Sequence, residues 1–488
     1  MSRIIVKEPP AKALITGIRA IGYSFSTAVA DIIDNSISAN ATRIDILTEV
    51  NDNLAFVCFL DNGIGMNYQE LENAMLLGSN RDSRKDCETE LGRFGLGLKA
   101  ASLSQCRVFT VLAKCNNAIN AIAFDLNLIE SENKWNLRIL DDGEVRQMPN
   151  ADKLNEYESG TLVIWQCFDK IEGHSKKFED SFRNAVAEAK KHVELVFHRF
   201  YDTHEFYFNG RRTEKRDPFL RGSAPRQQTG LTHKLTIKGH CISVTPYTLP
   251  FWNTITDNEK ALLGYPKSIH DDQGFYLYRN KRLIVWGSWF RMGLKSEQNK
   301  LARIQVDIPS SLDEIWMLDV KKSSARIPDI IKEELRASVK DSSIRSKKTV
   351  RFPGLKEQRT DNPVWLRTEN KNEKSVFYTI NRDNPLILQL FDNIGQGESR
   401  LLEILLSQIE TSLPKHSIWH DHTDENIRIP DRASLTDSEQ LVSELSIILS
   451  MAKPEDKFVL LDRLLSSEAY KTLNENTEHI KRRLLGNG

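Results

Sequence analysis

The sequence predicts an α+β protein: an N-terminal α/β sandwich over residues 1–190, a second α/β domain over 191–340, a basic linker or arm over 341–362, and a mainly helical C-terminal domain over 363–488. Three observations predict it. Helical spacing and period-two apolar runs alternate through the first region. A long helical stretch at 178–200 is followed by a fresh set of strand-like runs, and the last third holds several segments of amphipathic helical spacing. A chain of 488 residues is long enough for two or three domains with their own cores, so neither disulfides nor metal are required for folding.

In order along the chain, Phe25, Val29, Ile32 and Ile33 recur at helical spacing, residues 43–47 alternate with period two, and 54–60 read as a buried strand. Strand patterns follow at 108–113, 121–126, 135–140 and 161–165, which predicts a sheet covered by helices on one side. After the helix at 178–200, the strand 206–208 and the turn Asn209-Gly210 open the second region. Residues 274–286 form a hairpin-like pair of apolar runs about Asn280-Lys281, 304–308 add a strand, and 330–339 read as a helix. Residues 341–362 are polar, basic and poor in apolar side chains, hence the linker. A strand at 376–380 then precedes helices at 386–391, 399–413, 437–451 and 457–485.

Lys and Arg total 67 and Asp and Glu total 67, so the formal net charge is zero, which excludes a polyelectrolyte and a uniformly basic nucleic-acid coat but not a local basic surface. Six cysteines lie scattered without a CxxC pair, as in a reducing compartment, and no structural zinc site is expected. No signal-like segment and no bilayer-length apolar run is present, so a cytoplasmic protein without a membrane partner is expected.

Three segments of the first region carry chemistry. In 28–36, Asp31 and Asn35 stand four apart and share a helix face. A carboxylate beside a carboxamide suits a hard cation and a positioned water, although a polar solvent face has the same pattern. In Asp61-Asn62-Gly63-Ile64-Gly65-Met66, a carboxylate ends a buried strand and two glycines let backbone approach a ligand; the same letters also make an ordinary tight turn. In 92–102, Gly92, Gly95 and Gly97 precede a helical run with Lys99 inside it, a pattern that presents backbone N–H groups and positive charge to phosphate. It has neither Walker A spacing nor the strand that a Rossmann fingerprint needs.

These segments, in this order and followed by Gly160-Thr161, resemble the GHKL ATPases (gyrase B, Hsp90, histidine kinase, MutL), whose fold is the Bergerat α/β sandwich. ADIIDNS is similar to their N-box, DNGIGM to the second motif, GRFGLGLKAAS to the third and ESGTLVIW to the last; the wording is nearest to the MORC-type branch and its bacterial relatives. DPF, YRNKRLIVWGSW and DVKKSS resemble the S5-like transducer domain that follows it. The resemblance implies ATP and Mg²⁺ as ligands. Asn35 would coordinate Mg²⁺. Asp61, with Gly63, Gly65, Met66 and Thr161, would hold adenine. Gly92, Arg93, Phe94, Gly95, Leu96, Gly97, Leu98 and Lys99 would line the phosphates, and residues 77–85 would form a lid.

The family's general base is a glutamate, and Asp31 stands in its place, one methylene shorter, so the resemblance implies slow hydrolysis. A transducer lysine that reaches the γ-phosphate would be Lys321 or Lys322, with Lys322 preferred. The resemblance further implies an ATP-dependent homodimer, ordered through a strap at 1–22. Basic clusters at 211–216 and 345–359 suit sequence-independent DNA binding. The leading expectation is a MORC-like DNA clamp in prokaryotic defence against foreign DNA. The alternatives are a nucleotide-sensing module recruiting an operon-encoded nuclease or helicase partner, and an Hsp90-like chaperone.

Overall fold

The computed structural model describes residues 10–20, 22–51, 54–76, 97–171, 176–223, 228–251, 255–263, 269–313, 315–316, 326–351, 363–370, 375–414, 418, 438–450, 454, 456–465, 473 and 477–485. The chain divides into two compact units, 1–353 and 354–488.

The first unit begins with α1 (Ala11–Arg19) and α2 (Phe25–Ser38), the latter capped by Ser24, whose hydroxyl accepts the Thr27 N–H at 3.2 Å. Strands β1 (Arg43–Asn51) and β2 (Leu54–Asp61), helix α3 (Tyr68–Met75), helix α4 (Gly97–Gln105), strands β3 (Cys106–Cys115) and β4 (Ala118–Asp125) and helix α5 (Leu126–Glu132) follow. Strand β5 (Arg138–Ile139), the short helix α6 (Asp142–Gln147), strand β6 (Gly160–Phe168), the long helix α7 (Lys176–Val196) and strands β7 (Glu205–Phe208) and β8 (Arg211–Arg212) complete the layer. The sheet order is β5-β4-β3-β6-β2-β1-β7-β8, with only β1 and β7 parallel.

One face of this sheet packs Val57, Phe59, Phe109, Val111, Val163 and Trp165 beneath α1, α2, α4 and α7, burying Ala28, Val29, Ile32 and Ile33. The other face is not open, as a one-sided sandwich predicts. Leu140, Ala151 and Leu154 of the 138–157 segment cover Phe56, Cys58, Leu60, Leu112 and Leu162.

Residues 205–212 join this first sheet instead of opening the second domain as expected. Glu205 N–H donates to Thr42 O at 2.8 Å and Asn209 N–H to Ile46 O at 2.9 Å, so the edge of β1 is the docking site for the strand delivered by α7. Apolar periodicity identifies a strand but not the sheet that receives it.

The second sheet contains β9 (Gln228–Thr229), β10 (His233–Ile237), β11 (His240–Thr248), then, after helix α8 (Asp257–Leu262), β12 (Gly274–Arg279), β13 (Arg282–Ser288) and β14 (Ala302–Ile308), ordered β10-β11-β14-β12-β13 with β9 beside β11. Helix α9 (Lys332–Arg351) packs on it through Leu335 and Val339. Residues 341–351, expected in the linker, are therefore the second half of a helix. Its buried face continues through Ser338, Ser342 and Ser346, small polar residues at four-residue spacing that carry no apolar signal.

In the second unit, β15 (Trp365–Asn370) and β16 (Ser375–Ile380) pair antiparallel. Helices α10 (Pro385–Asn393), α11 (Gln396–Thr411), α12 (Ser438–Ser450), α13 (Lys457–Leu465) and α14 (Thr477–Leu485) follow, α12 to α14 sharing a leucine core around Leu445 and Leu461. Within the expected helix over 457–485, the described residues 457–465 and 477–485 are helical. No helix of the described residues is long and apolar enough to cross a membrane.

Candidate functional site

The C-terminal end of β2 places Asp61 at the floor of the site, where it is fully buried between α2 and β6. Its Oδ2 accepts the Ser36 hydroxyl at 2.7 Å; its Oδ1 accepts the Gly63 N–H at 2.9 Å and the Thr161 N–H at 3.2 Å. Burial pushes the carboxyl above the ordinary aspartate range, and the hydrogen bonds from Ser36, Gly63 and Thr161 pull against that shift. The carboxylate is held by three donors, two on Oδ1 and one on Oδ2, and Oδ2 keeps lone-pair capacity that suits an incoming amino group.

Backbone approaches backbone around this carboxylate. Gly65 has φ +65°, and a Cβ there would lie 1.9 Å from the Lys114 carbonyl oxygen; a Cβ on Gly160 would lie 2.2 Å from the Asp61 carbonyl oxygen. The glycines of this motif thus serve packing of the loop as much as room for a ligand. Ser159 Oγ clamps the same loop by donating to Gly63 O at 2.8 Å, and Met66 packs on the main core.

On α2, Asn35 is half-buried and its Nδ2 has no hydrogen-bond partner among the described residues. Four residues earlier, Asp31 is buried and engaged on both oxygens: Tyr23 OH donates to Oδ2 at 2.8 Å, and Arg282 Nη2 donates to Oδ1 at 3.2 Å. Arg282 Nε lies 2.8 Å from Asp34 Oδ1, and all three side chains are at most 3% exposed. Arg282 comes from β13 of the second sheet, so the two α/β layers of the first unit meet at α2. Tyr23, Asp34, Ser36 and Arg282 were not singled out from the sequence. Ser36 was within reach, since it adjoins Asn35 in the same motif.

Lys99 departs from its expected place. Its Nζ donates to Ala74 O at 2.9 Å and Leu76 O at 2.7 Å, and the side chain is 2% exposed. The third residue of α4 points back onto the last carbonyls of α3, where a cation meets the negative end of that helix. Gly97 starts α4 and Leu98 packs on the core. Gly92, Arg93, Phe94, Gly95, Leu96, the 77–85 segment, Lys321 and Lys322 lie outside the described residues.

The basic clusters separate into paired and exposed charges. Arg212 meets Glu205 at 3.2 Å, Lys215 meets Asp202 at 3.2 Å and Arg216 meets Glu194 at 2.9 Å, while Arg211 is exposed on the edge strand β8. On α9, Arg345 pairs with Asp341 at 3.0 Å and Lys347 and Lys348 face solvent. Lys356 and Arg359 lie outside the described residues, as does the side chain of Arg351.

Comparison with known proteins converges on the same segment. The family described as histidine kinase-, DNA gyrase B- and HSP90-like ATPase matches residues 23–161. Mouse ATPase MORC2B is 35% identical over 108 residues, 22% of this chain and 10% of that protein. Human ATPase MORC2 is 26% identical over 151 residues, 28% of this chain and 14% of that protein. Human MORC family CW-type zinc finger protein 1 is 29% identical over 108 residues, 22% of this chain and 11% of that protein. The chain therefore spans between 10% and 14% of the length of these relatives.

Proposed function

Because residues 23–161 are a GHKL-type ATPase domain related to the MORC ATPases, we propose that the chain binds Mg²⁺–ATP, hydrolyses it slowly, and closes as a homodimer on DNA. The observation that carries nucleotide binding is Asp61, a buried carboxylate fixed by three donors at the mouth of a glycine-lined loop. An exocyclic amino group such as that of adenine is a donor that matches this acceptor, in line with the ATPase family match.

The residues also fit the cation. Asn35 is half-buried and its Nδ2 is engaged by no other described residue, so the amide is not locked by that end, and its carbonyl oxygen is a neutral ligand of the kind a hard cation takes. Among the described residues no cluster of three His, Cys, Asp or Glu side chains forms a metal cage. Mg²⁺ takes few protein oxygens and completes its shell with phosphates and water, so no protein cage is needed and Asn35 would supply one oxygen. When bound, Mg²⁺ supplies charge neutralisation on phosphate oxygens. Gly97 and Leu98 lie at the N-terminus of α4, whose free N–H groups favour an anion. Asp31 is the only carboxylate one helical turn from Asn35 on the same face, and accepts a proton from water once one of its oxygens is released.

Exposed Arg211, Lys347 and Lys348 supply local positive charge for a DNA backbone, in a chain whose net charge is zero. A role in defence against foreign DNA, with an operon-encoded partner, belongs to the same reading. The second reading, a nucleotide-sensing module without turnover, is favoured by one observation: both Asp31 oxygens are occupied by Arg282 and Tyr23.

The test measures ATP turnover and oligomeric state, with and without DNA, for wild type and Asp31→Ala. Dimerisation by ATP and turnover altered by DNA are expected. Nucleotide binding with no turnover in any condition selects the sensing module. Asn35→Ala is expected to abolish Mg²⁺-dependent binding, and unchanged affinity there would overturn the site.

A further inference from the structure

The structure assigns Arg282 as a positioning residue that holds Asp31 out of reaction, a latch from the second sheet of the first unit on the base of the first domain. This rests on the ATPase reading above and adds what restrains it. Arg282 is the first residue of β13, directly after the Asn280-Lys281 turn, and its guanidinium reaches into the core over the Phe197 ring. There one cation faces two carboxylates, Asp31 at 3.2 Å and Asp34 at 2.8 Å, on successive turns of α2. Tyr23 OH occupies the second Asp31 oxygen at 2.8 Å.

A base accepts a proton through a lone pair aimed at the water it activates. An Asp31 that is 2% exposed, with each oxygen already accepting from a buried donor, is held turned into the core by those two bonds. The bond to a charged donor is also among the stronger hydrogen bonds, so it holds Asp31 in place until Arg282 withdraws. Since Arg282 stands on the second sheet, a shift of the β12–β13 hairpin against α2 would withdraw it. Turnover is thereby made to depend on the placement of a domain that contributes no group to the adenine end.

The test uses the full chain and three variants, Arg282→Met, Arg282→Lys and Tyr23→Phe, followed by turnover, by ADP affinity without Mg²⁺, and by hydrogen exchange of the 23–38 and 279–283 backbone. Arg282→Met is expected to raise kcat about tenfold with KM and ADP affinity unchanged, the size of one charge-assisted hydrogen bond removed. Exchange should rise in both segments. Arg282→Lys, with the charge but not the fork, should fall between wild type and Arg282→Met. Tyr23→Phe, which removes one oxygen and leaves the buried charges paired, should raise kcat a few-fold and decides the matter if Arg282→Met does not fold. The double variant Asp31→Asn with Arg282→Met should lose the gain.

Loss of a merely structural contact lowers kcat or leaves it alone, so a gain with KM unchanged separates the two roles. Unchanged or reduced kcat in both Arg282→Lys and Tyr23→Phe, with ADP still bound, overturns the latch and leaves the nucleotide site standing. Failure of wild type to bind ADP overturns the nucleotide site itself.

Discussion

Replacing Gly65 with alanine tests whether the loop after β2 is held by backbone contact. The new Cβ would start 1.9 Å from the Lys114 carbonyl oxygen, so it must retreat by about 1.5 Å to reach the 3.4 Å of ordinary contact. The obstacle is backbone at the end of β3, which cannot rotate away. Gly65 also has φ +65°, a conformation that costs an L-residue about 1–2 kcal/mol. A loop displaced that far breaks the 2.9 Å hydrogen bond from Gly63 N–H to Asp61, a charged-acceptor bond of about 1.5–3 kcal/mol. Together these give a stability loss of about 2.5–5 kcal/mol and an ATP affinity lower by about 10- to 100-fold. Gly17→Ala is the matched control: it lies within α1 with no heavy atom within 4 Å of the added Cβ, and should gain up to about 1 kcal/mol. Thermal unfolding and calorimetric titration with a non-hydrolysable ATP analogue measure both. Binding within twofold of wild type and an unchanged midpoint for Gly65→Ala would refute the close-approach account.

Further expectations concern the core and the titrating groups. Ser102→Ala strands the buried Trp165 indole N–H, which now donates to Ser102 Oγ at 2.8 Å, and should cost about 1–3 kcal/mol; a denaturant midpoint equal to wild type would contradict it. Because burial raises Asp61, acidification protonates it earlier than an ordinary aspartate and should weaken nucleotide affinity, whereas Asp61→Asn should bind weakly at every pH; an affinity flat in pH for wild type argues against Asp61 as the acceptor. Burial lowers His198, partly opposed by the Asp217 carboxylate, so the folded protein holds it neutral while the unfolded chain takes up a proton below pH about 6.5. Its contribution to stability is therefore full above that pH and is lost as pH falls below it, and His198→Gln should flatten the fall in melting temperature between pH 7 and pH 5.

The geometry of the candidate site was legible where chemistry and chain position coincide. Asp61, Gly63 and Gly65 stand together in one short run, and Thr161 faces Asp61 across the β2–β6 pairing that the two strand patterns foretell. What lay hidden depends on distance or on a missing apolar signal. Arg282 is 251 residues from Asp31, and its neighbourhood reads as an ordinary hairpin turn. Lys99 sits where a phosphate cation is expected, yet its side chain extends toward the carbonyls of α3 because helical side chains lean toward the N-terminal side of their own helix. The second half of α9 presents serines to the sheet, so its exposed lysines dominated the pattern and it read as an arm.

The pairing of β7 with β1 sets where this domain begins to exist as a unit during synthesis. Arg43 and Ile44 meet Glu205 and Phe206, so a ribosome must deliver more than 200 residues before the first sheet can close. A fragment ended at the apparent boundary near 190 leaves β1 as a bare parallel edge, with Ile44 and Ile46 deprived of the cover of Phe206 and Phe208. Such a fragment invites pairing with copies of itself, and an association seen there would mimic the nucleotide-driven dimerisation proposed above without involving the nucleotide. Fragments that run past Arg212 retain the β7–β8 edge and avoid that false reading.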